Sequence, residues 1–368
     1  MKAIKVYLQY PWKFPDSPYY KYLIQNPPEG ADYLNIENQK GVIINKKKRF
    51  FLNSIKKKIR RVMGLVNFPA PNVHFTKSKN KFDLIHCAHC LSGNKSAWVA
   101  DFEGIWQMFI SGKETFFGKK LASRILKSTY CKKMIAWTEA TKKDFSRTFP
   151  GLEEKIEVVY PAVPAHSRKE NRKKEVVLLF IGRYFYEKGG HHALEIMDKL
   201  TAKYNNVKGI VVSEVPNKVR EKYRNNKKIE FYKLMSQSEL FSKIYPLADI
   251  FLYPGYSDTF GFAILEAMSF GLPIVTADAV ARKELVENGK TGFVIEANHK
   301  REWETDYVKI DDENRIFAEL LDKTEELIAN RAVREKMSKK CTELIKSGKF
   351  SLAERNKNLR RIYEEALE

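Results

Sequence analysis

Two stretches of this sequence carry residues whose types and spacing could do chemistry. The first runs Ser257-Asp258-Thr259-Phe260-Gly261-Phe262-Ala263-Ile264-Leu265-Glu266-Ala267-Met268. It follows an apolar run, Asp249 to Tyr253, that reads as a buried parallel strand ending at Pro254-Gly255. After the turn, Phe262, Leu265 and Met268 fall on neighbouring rows and predict a helix. A helix start presents backbone N–H groups and the positive end of the dipole, which suits a phosphate. Asp258 lies just before that start and Glu266 about one turn in. Two carboxylates could then reach the hydroxyl groups of a ligand whose phosphates sit at the helix start. An N-cap acid and a solvated helical Glu fit the same pattern. The second stretch is Gly182-Arg183 and, shortly after, Lys188-Gly189, at the end of an apolar run from Val176 to Ile181. Alone, these are equally a turn Arg and a helix-start Lys on a surface.

Taken together the stretches resemble a known family. Asp258, seven residues, then Glu266 is similar to the E-x7-E motif of the family-four retaining glycosyltransferases, which have the GT-B fold. The surrounding run YPGYSDTFGFAILEAMSFGLPIVTAD resembles that family over most of its length. The first acid here is Asp rather than Glu, shorter by one methylene. The Gly pair that usually precedes the Glu resembled by Glu284 is absent. Gly182-Arg183 with Lys188-Gly189 matches the family's Gly-Arg…Glu-Lys-Gly signature. The resemblance implies a nucleotide sugar as donor, whose diphosphate gathers negative charge as the glycosidic bond breaks. Arg183 can offer two parallel N–H donors and Lys188 a point charge to that leaving group. It further implies that Glu266 holds the ribose hydroxyls and that Asp258 touches the donor sugar. The backbone N–H groups of Thr259, Phe260 and Gly261 would face sugar hydroxyls, and those of Phe262 and Ala263 the phosphate. Leu234 falls where the family's base-contacting loop lies.

The elements that must position these residues are two runs of strand–helix alternation. The first covers residues 1–165, with strands near residues 2–9, 82–86, 98–103, 134–137 and 156–160. Pro161 to Lys174, prolines followed by charge, reads as a linker. The second run covers residues 166–350, and the helix in 351–368 is assigned, by the resemblance, back to the first domain. The fold class expected is α/β: GT-B, two Rossmann-like doubly wound domains facing a cleft, with ligands at the carboxyl ends of the strands. The strand ends of the first domain carry His86, Asp101 and Glu103. In many relatives a His near the position of Asp101 faces the acceptor, so these three are the acceptor-side candidates. Where a glycine-rich loop often follows the first strand, this chain has YPWKFPDSPYYKYL.

The chain has 368 residues and a net charge of +21. The charge is uneven: residues 1–165 hold 29 Lys and Arg against 13 Asp and Glu. Ten Lys and Arg and no acid lie between Lys40 and Arg61, and Phe51, Ile55, Ile59 and Val62 form one apolar stripe there. Lys46–Arg61 therefore reads as a basic helix able to meet an anionic membrane surface, or as an ordinary solvated helix. No stretch approaches the ~20 apolar residues of a spanning helix, and the start is too strand-like for a signal peptide. A cytoplasmic protein, peripheral on the membrane face, is expected. Cys87, Cys90, Cys131 and Cys341 make no disulfide framework. His86-Cys87-Ala88-His89-Cys90 lacks a second ligand pair at finger spacing. No Asp-x-Asp stands at a strand end, Asp311-Asp312 reads as a helix cap, and two cations already face the diphosphate. Neither metal nor other cofactor is expected.

The leading reading is a metal-independent hexosyltransferase moving sugar from a UDP- or GDP-sugar to a glycan or lipid-linked acceptor in cell-surface glycan or glycolipid synthesis. A phosphorylase shares the fold, but the chain is short for one and no pyridoxal lysine can be named. A degenerate transferase that only binds is the reading that Asp258 raises. A nucleic-acid-binding protein is the reading the charge raises, with Trp12, Phe14, Tyr19 and Tyr20 to stack bases. No recognition-module motif accompanies that charge, so nucleic acid is not the expected partner.

Overall fold

The computed structural model describes residues 3–9, 17–36, 70–166, 175–256, 259–297, 299–300, 309–310 and 312–368. The expected basic helix at Lys46–Arg61, Trp12 and Phe14, the charged part of the linker, Asp311 and Asp258 itself lie outside them. The chain divides into two compact units, Met1–Ala162 with Leu352–Glu368, and Val163–Ser351.

The first unit contains strands β1 (Ile4–Gln9), β2 (Ala31–Leu34), β3 (Val73–His74), β4 (Leu84–Ala88), β5 (Leu91–Ser92), β6 (Trp98–Phe102), β7 (Cys131–Ala136) and β8 (Ile156–Val158). Six of them form one sheet in the order β2-β1-β4-β6-β7-β8, and its ladders are all parallel. A parallel sheet is covered on both faces, so its inner strands are apolar throughout. All five residues of β4 and all five of β6 are buried. Trp98, Phe102, Met108, Phe145 and Phe149 pack into the core on one side. The helix Leu352–Glu365 belongs to this unit: Arg355 Nη2 donates to the Asn26 carbonyl at 2.6 Å, and Tyr33 and Tyr363 share a hydrogen bond of 2.9 Å.

The second unit contains β9 (Val176–Gly182), β10 (Val207–Ser213), β11 (Ile229–Tyr232), β12 (Ile250–Tyr253), β13 (Ile274–Ala277) and β14 (Gly292–Ile295). They form a parallel sheet in the order β11-β10-β9-β12-β13-β14. Numbered within the unit this is 3-2-1-4-5-6, the doubly wound order. Its direction of winding reverses between β9 and β12, and in sheets of this order ligands bind at the strands' carboxyl ends beside such a reversal. Asp249 Oδ2 accepts from the amide of Val177 at 2.9 Å and ties the two strands at their opposite ends. Among the described residues no helix is long and apolar enough to cross a membrane.

Candidate active site at the reversal of the second sheet

β9 ends at Gly182, and the chain folds straight back over it. A Cβ at Gly182 would lie 2.9 Å from the Cβ of Lys188. Only a residue without a side chain lets Lys188 sit beside Arg183 over the strand end. The return is fixed by its own backbone: the Lys188 amide donates to the Tyr184 carbonyl at 3.0 Å, and the Gly190 amide to the Phe185 carbonyl at 2.7 Å. Phe185 is buried beneath the turn, while Arg183 and Lys188 are half-exposed.

The neighbouring strand β12 ends at Tyr253, and Pro254-Gly255 meets this turn backbone to backbone. A Cβ on Gly255 would stand 2.4 Å from the Lys188 carbonyl carbon, and one on Gly189 would stand 2.6 Å from the Gly255 nitrogen. Gly189 also has φ +74, a left-handed conformation that glycine adopts without steric cost. Two stretches some seventy residues apart in sequence are thereby locked together at the reversal point. From Gly255 the chain leads to Thr259, to the buried ring of Phe260 (5.0 Å from that of Phe262), and to the helix Phe262–Ser269. Phe262 and Ala263, half-buried, form its amide end.

Glu266 sits one turn into that helix and is 7% exposed. Its carboxylate accepts from the Gln237 side-chain amide and, at 3.1 Å, from the Tyr245 hydroxyl. Gln237 opens the helical stretch after β11, beyond the loop that carries the half-buried Leu234. The loops after β9, β11 and β12 thus converge, each from the carboxyl end of its strand. A layer below holds them. Arg282 is fully buried, lies 4.4 Å over the Tyr253 ring and donates to the Gly255 carbonyl at 3.4 Å. Ser213 Oγ donates to the Gly182 carbonyl at 2.6 Å, and Thr276 Oγ1 to that of Tyr253 at 2.6 Å.

Gln237, Tyr245 and Arg282 were not legible as site residues. After β11 the chain forms one helical turn at Gln237–Glu239, a wide π-type turn at Leu240–Ile244 and a short 3-10 turn at Tyr245–Leu247. Pro246 has no N–H to continue the ladder, and the run ends with the Tyr245 hydroxyl at Glu266.

Of the acceptor-side candidates of the first unit, Asp101 lies near the carboxyl end of β6 as expected, whereas His86 lies mid-strand in β4 rather than at its end; both are 0% exposed. Asp101 accepts from the Tyr20 hydroxyl through Oδ1 and lies 3.2 Å from His86 Nε2 through Oδ2, while His86 Nδ1 lies 2.6 Å from the Tyr363 hydroxyl. Buried polar groups need partners, and these partners come from β4, β6 and two helices, so the network joins the returning helix to the sheet. Burial and the neighbouring Tyr33 push the Tyr363 phenol well up, which keeps it a neutral donor. Glu103, just past β6, remains half-exposed.

Among the described residues one group could hold a metal. His192 Nε2 lies 2.9 Å and His191 Nε2 3.6 Å from Glu313 Oε1. Glu313 is 55% exposed and His192 is buried, with burial lowering its pKa; the two histidines lie in the first turn of the helix that follows Lys188-Gly189.

The doubly wound unit has relatives among known proteins. Residues 163–315 match the family described as glycosyl transferases group 1. The second unit belongs to that family, and the two sheets are those of the GT-B fold. The capsular polysaccharide biosynthesis glycosyltransferase CapM of Staphylococcus aureus is 25% identical over 43% of this chain and 38% of its own length. A D-inositol 3-phosphate glycosyltransferase of Corynebacterium efficiens is 23% identical over 68% of this chain and 69% of its own. A Haemophilus influenzae glycosyltransferase is 24% identical over 55% of this chain, which spans 62% of its length. The chain thus spans under two thirds of the first of these curated relatives. Among solved structures, a glycosyltransferase of Rickettsia africae matches all of this chain and 99% of its own, with TM-score 0.63 and 16% identity. Anabaena HepE, in complex with UDP and glucose, matches 98% and 99%, with TM-score 0.60 and 13% identity.

Proposed function

We propose that this protein is a retaining glycosyltransferase. It moves a hexose from a UDP- or GDP-sugar to a glycan or lipid-linked acceptor in cell-surface glycan synthesis. The observation that carries the reading is the backbone contact of Lys188-Gly189 with Pro254-Gly255, which brings two cations to the loop leading into the Glu266 helix. Arg183 and Lys188 bind the donor diphosphate. Their attraction strengthens as the glycosidic bond breaks and charge moves onto the leaving oxygen. The amide end of Phe262–Ser269 adds its dipole. Glu266, oriented by Gln237 and Tyr245, accepts from the ribose hydroxyls, Leu234 lies toward the base, and Asp258 contacts the donor sugar. With two cations and a helix end on the diphosphate, leaving-group charge is met without a metal. CapM's name and the UDP bound to Anabaena HepE support the same donor chemistry and acceptor class. Asp258 in place of Glu favours one second reading, a binding-competent protein without turnover.

The test is a screen of UDP- and GDP-sugars for nucleoside diphosphate release, with calorimetric titration of UDP and GDP alongside. Release from one donor class, persisting in excess EDTA, is expected. Nucleotide binding without release identifies the binding-only protein. Absence of both overturns the assignment. Loss in EDTA that is restored by magnesium or manganese overturns metal independence alone.

A further inference from the structure

The helix Phe116–Leu126 buries Gly118, Ala122 and Leu126 at i, i+4 and i+8, and its start is capped by Thr115 Oγ1 accepting from the Gly118 amide at 3.0 Å. The outward face is unusual. Phe116 is 74% exposed, Phe117 65% and Leu121 39%, and the two Phe rings touch edge to face at 5.5 Å. Single exposed apolar residues need no account, but adjacent bare aromatic rings on one helix do. Lys120, Arg124 and Lys127 are exposed on the same helix and its cap, with Lys119 half-buried beside them. No Asp or Glu occurs between Glu114 and Glu139. Among the described residues, no carboxylate pairs with Lys119, Lys120, Arg124 or Lys127.

We propose that this helix is a docking surface for an anionic lipid bilayer. The Phe rings and Leu121 enter the boundary between headgroups and acyl chains, and the four cations face lipid phosphates. Charge complementarity selects that occupant. From its Thr115 cap to Lys127 the helix carries cations and no carboxylate, which suits an anionic surface, and it adds large apolar side chains that a dissolved polyanion would leave in water. The sequence-based expectation placed such docking at Lys46–Arg61, outside the described residues; this helix is a different surface. The inference goes beyond the transferase reading and stands without it, because binding is read with no donor present.

The experiment is co-sedimentation of the full chain with phosphatidylcholine vesicles, with and without phosphatidylglycerol. We expect capture by the anionic vesicles only, with release by salt as screening shortens. Phe116→Ser with Phe117→Ser should weaken capture by about tenfold or more, since each ring withdraws substantial apolar area from water. Lys120→Glu with Arg124→Glu and Lys127→Glu should abolish it. Thermal unfolding of the Phe variant should match the wild type, because both rings are exposed. All four native cysteines are buried, so Leu121→Cys can be labelled selectively with an environment-sensitive dye. Its emission should shift to the blue on anionic vesicles. Wild-type protein left in the supernatant overturns the proposal. So does capture with a silent dye and unaffected variants, which would move the docking to another segment. Capture by a soluble anionic polysaccharide, insensitive to the Phe changes, would also overturn it.

Discussion

The contact between the two site loops makes a sharp prediction for Gly255→Ala. The added Cβ would lie 2.4 Å from the Lys188 carbonyl carbon and 2.5 Å from its Cα, whereas ordinary contact begins at 3.4 Å. Both atoms are backbone, so no rotamer change relieves the clash. The loops must part by about 1 Å, and displacements of that size cost about 10²-fold when they misplace groups that stabilise a transition state. Overpacking of this kind costs about 1–3 kcal/mol, so the melting temperature should fall by about 2–10 °C for a unit of this size. The variant should remain folded, bind UDP within a few-fold of the wild type, and lose about 10²-fold in kcat for nucleoside diphosphate release. Gly289→Ala is the matched control. Gly289 has φ +74 with nothing within 4 Å of its Cβ position, so it tests left-handed strain without a collision. It should lower stability and spare kcat. A folded Gly255→Ala protein with kcat within about threefold of the wild type would refute the reasoning.

The remaining predictions concern charge and anchoring. Arg183→Ala and Lys188→Ala should each lower kcat by about 10²–10³-fold with smaller effects on UDP affinity; near-normal turnover in either purified variant removes that residue from the clamp. Glu266→Gln and Tyr245→Phe should both weaken UDP binding, the first more; calorimetric titrations that match wild type would remove the ribose contact. In the first unit, burial would raise the Glu157 carboxyl, but Arg361 and Lys133 (2.7 Å) outweigh it and hold it below the usual range. A depressed carboxyl contributes stability above its unfolded value that is lost as pH falls through the folded one. Glu157→Gln should therefore cost about 0.5–1 kcal/mol at pH 7 and progressively less below about pH 4.5 in chemical denaturation. A gap that stays constant through that range would contradict the pairing.

Much of this was visible in the sequence, for physical reasons that differ by residue. The continuous apolar runs Val176–Ile181 and Ile250–Tyr253 announced strands buried on both faces, because a parallel sheet leaves no wet side. Gly182-Arg183, Lys188-Gly189 and Glu266 stood out through their resemblance to a family signature; by residue type alone they read equally as turn and helix residues on a surface. What spacing could not supply was the third dimension of polar contacts. Gln237 and Tyr245 lie 29 and 21 residues before Glu266, with no period that links them. For His86 and Asp101 it was burial that the sequence did not show. Polar residues in a strand suggest an open end, yet here Tyr20 and Tyr363, distant in sequence, satisfy them inside the core.

The two glycines that lock the site explain why the cations and the carboxylate need not be near in sequence. Arg183 and Lys188 ride on the loop after β9, and Glu266 rides on a helix after β12. Those strands are neighbours only because the winding reverses between them. Side chains at positions 189 and 255 would hold the loops apart, and the clamp would address a different point in space from the helix start. Removing both Cβ atoms lets backbone fix the separation, which rotamer changes do not disturb. Arg282 then bonds the Gly255 carbonyl from below, so the loop is held from the core side. Glu266 adds the same logic at its own scale. Donors from the β11 side, the Gln237 amide and the Tyr245 hydroxyl, fix where its carboxylate sits.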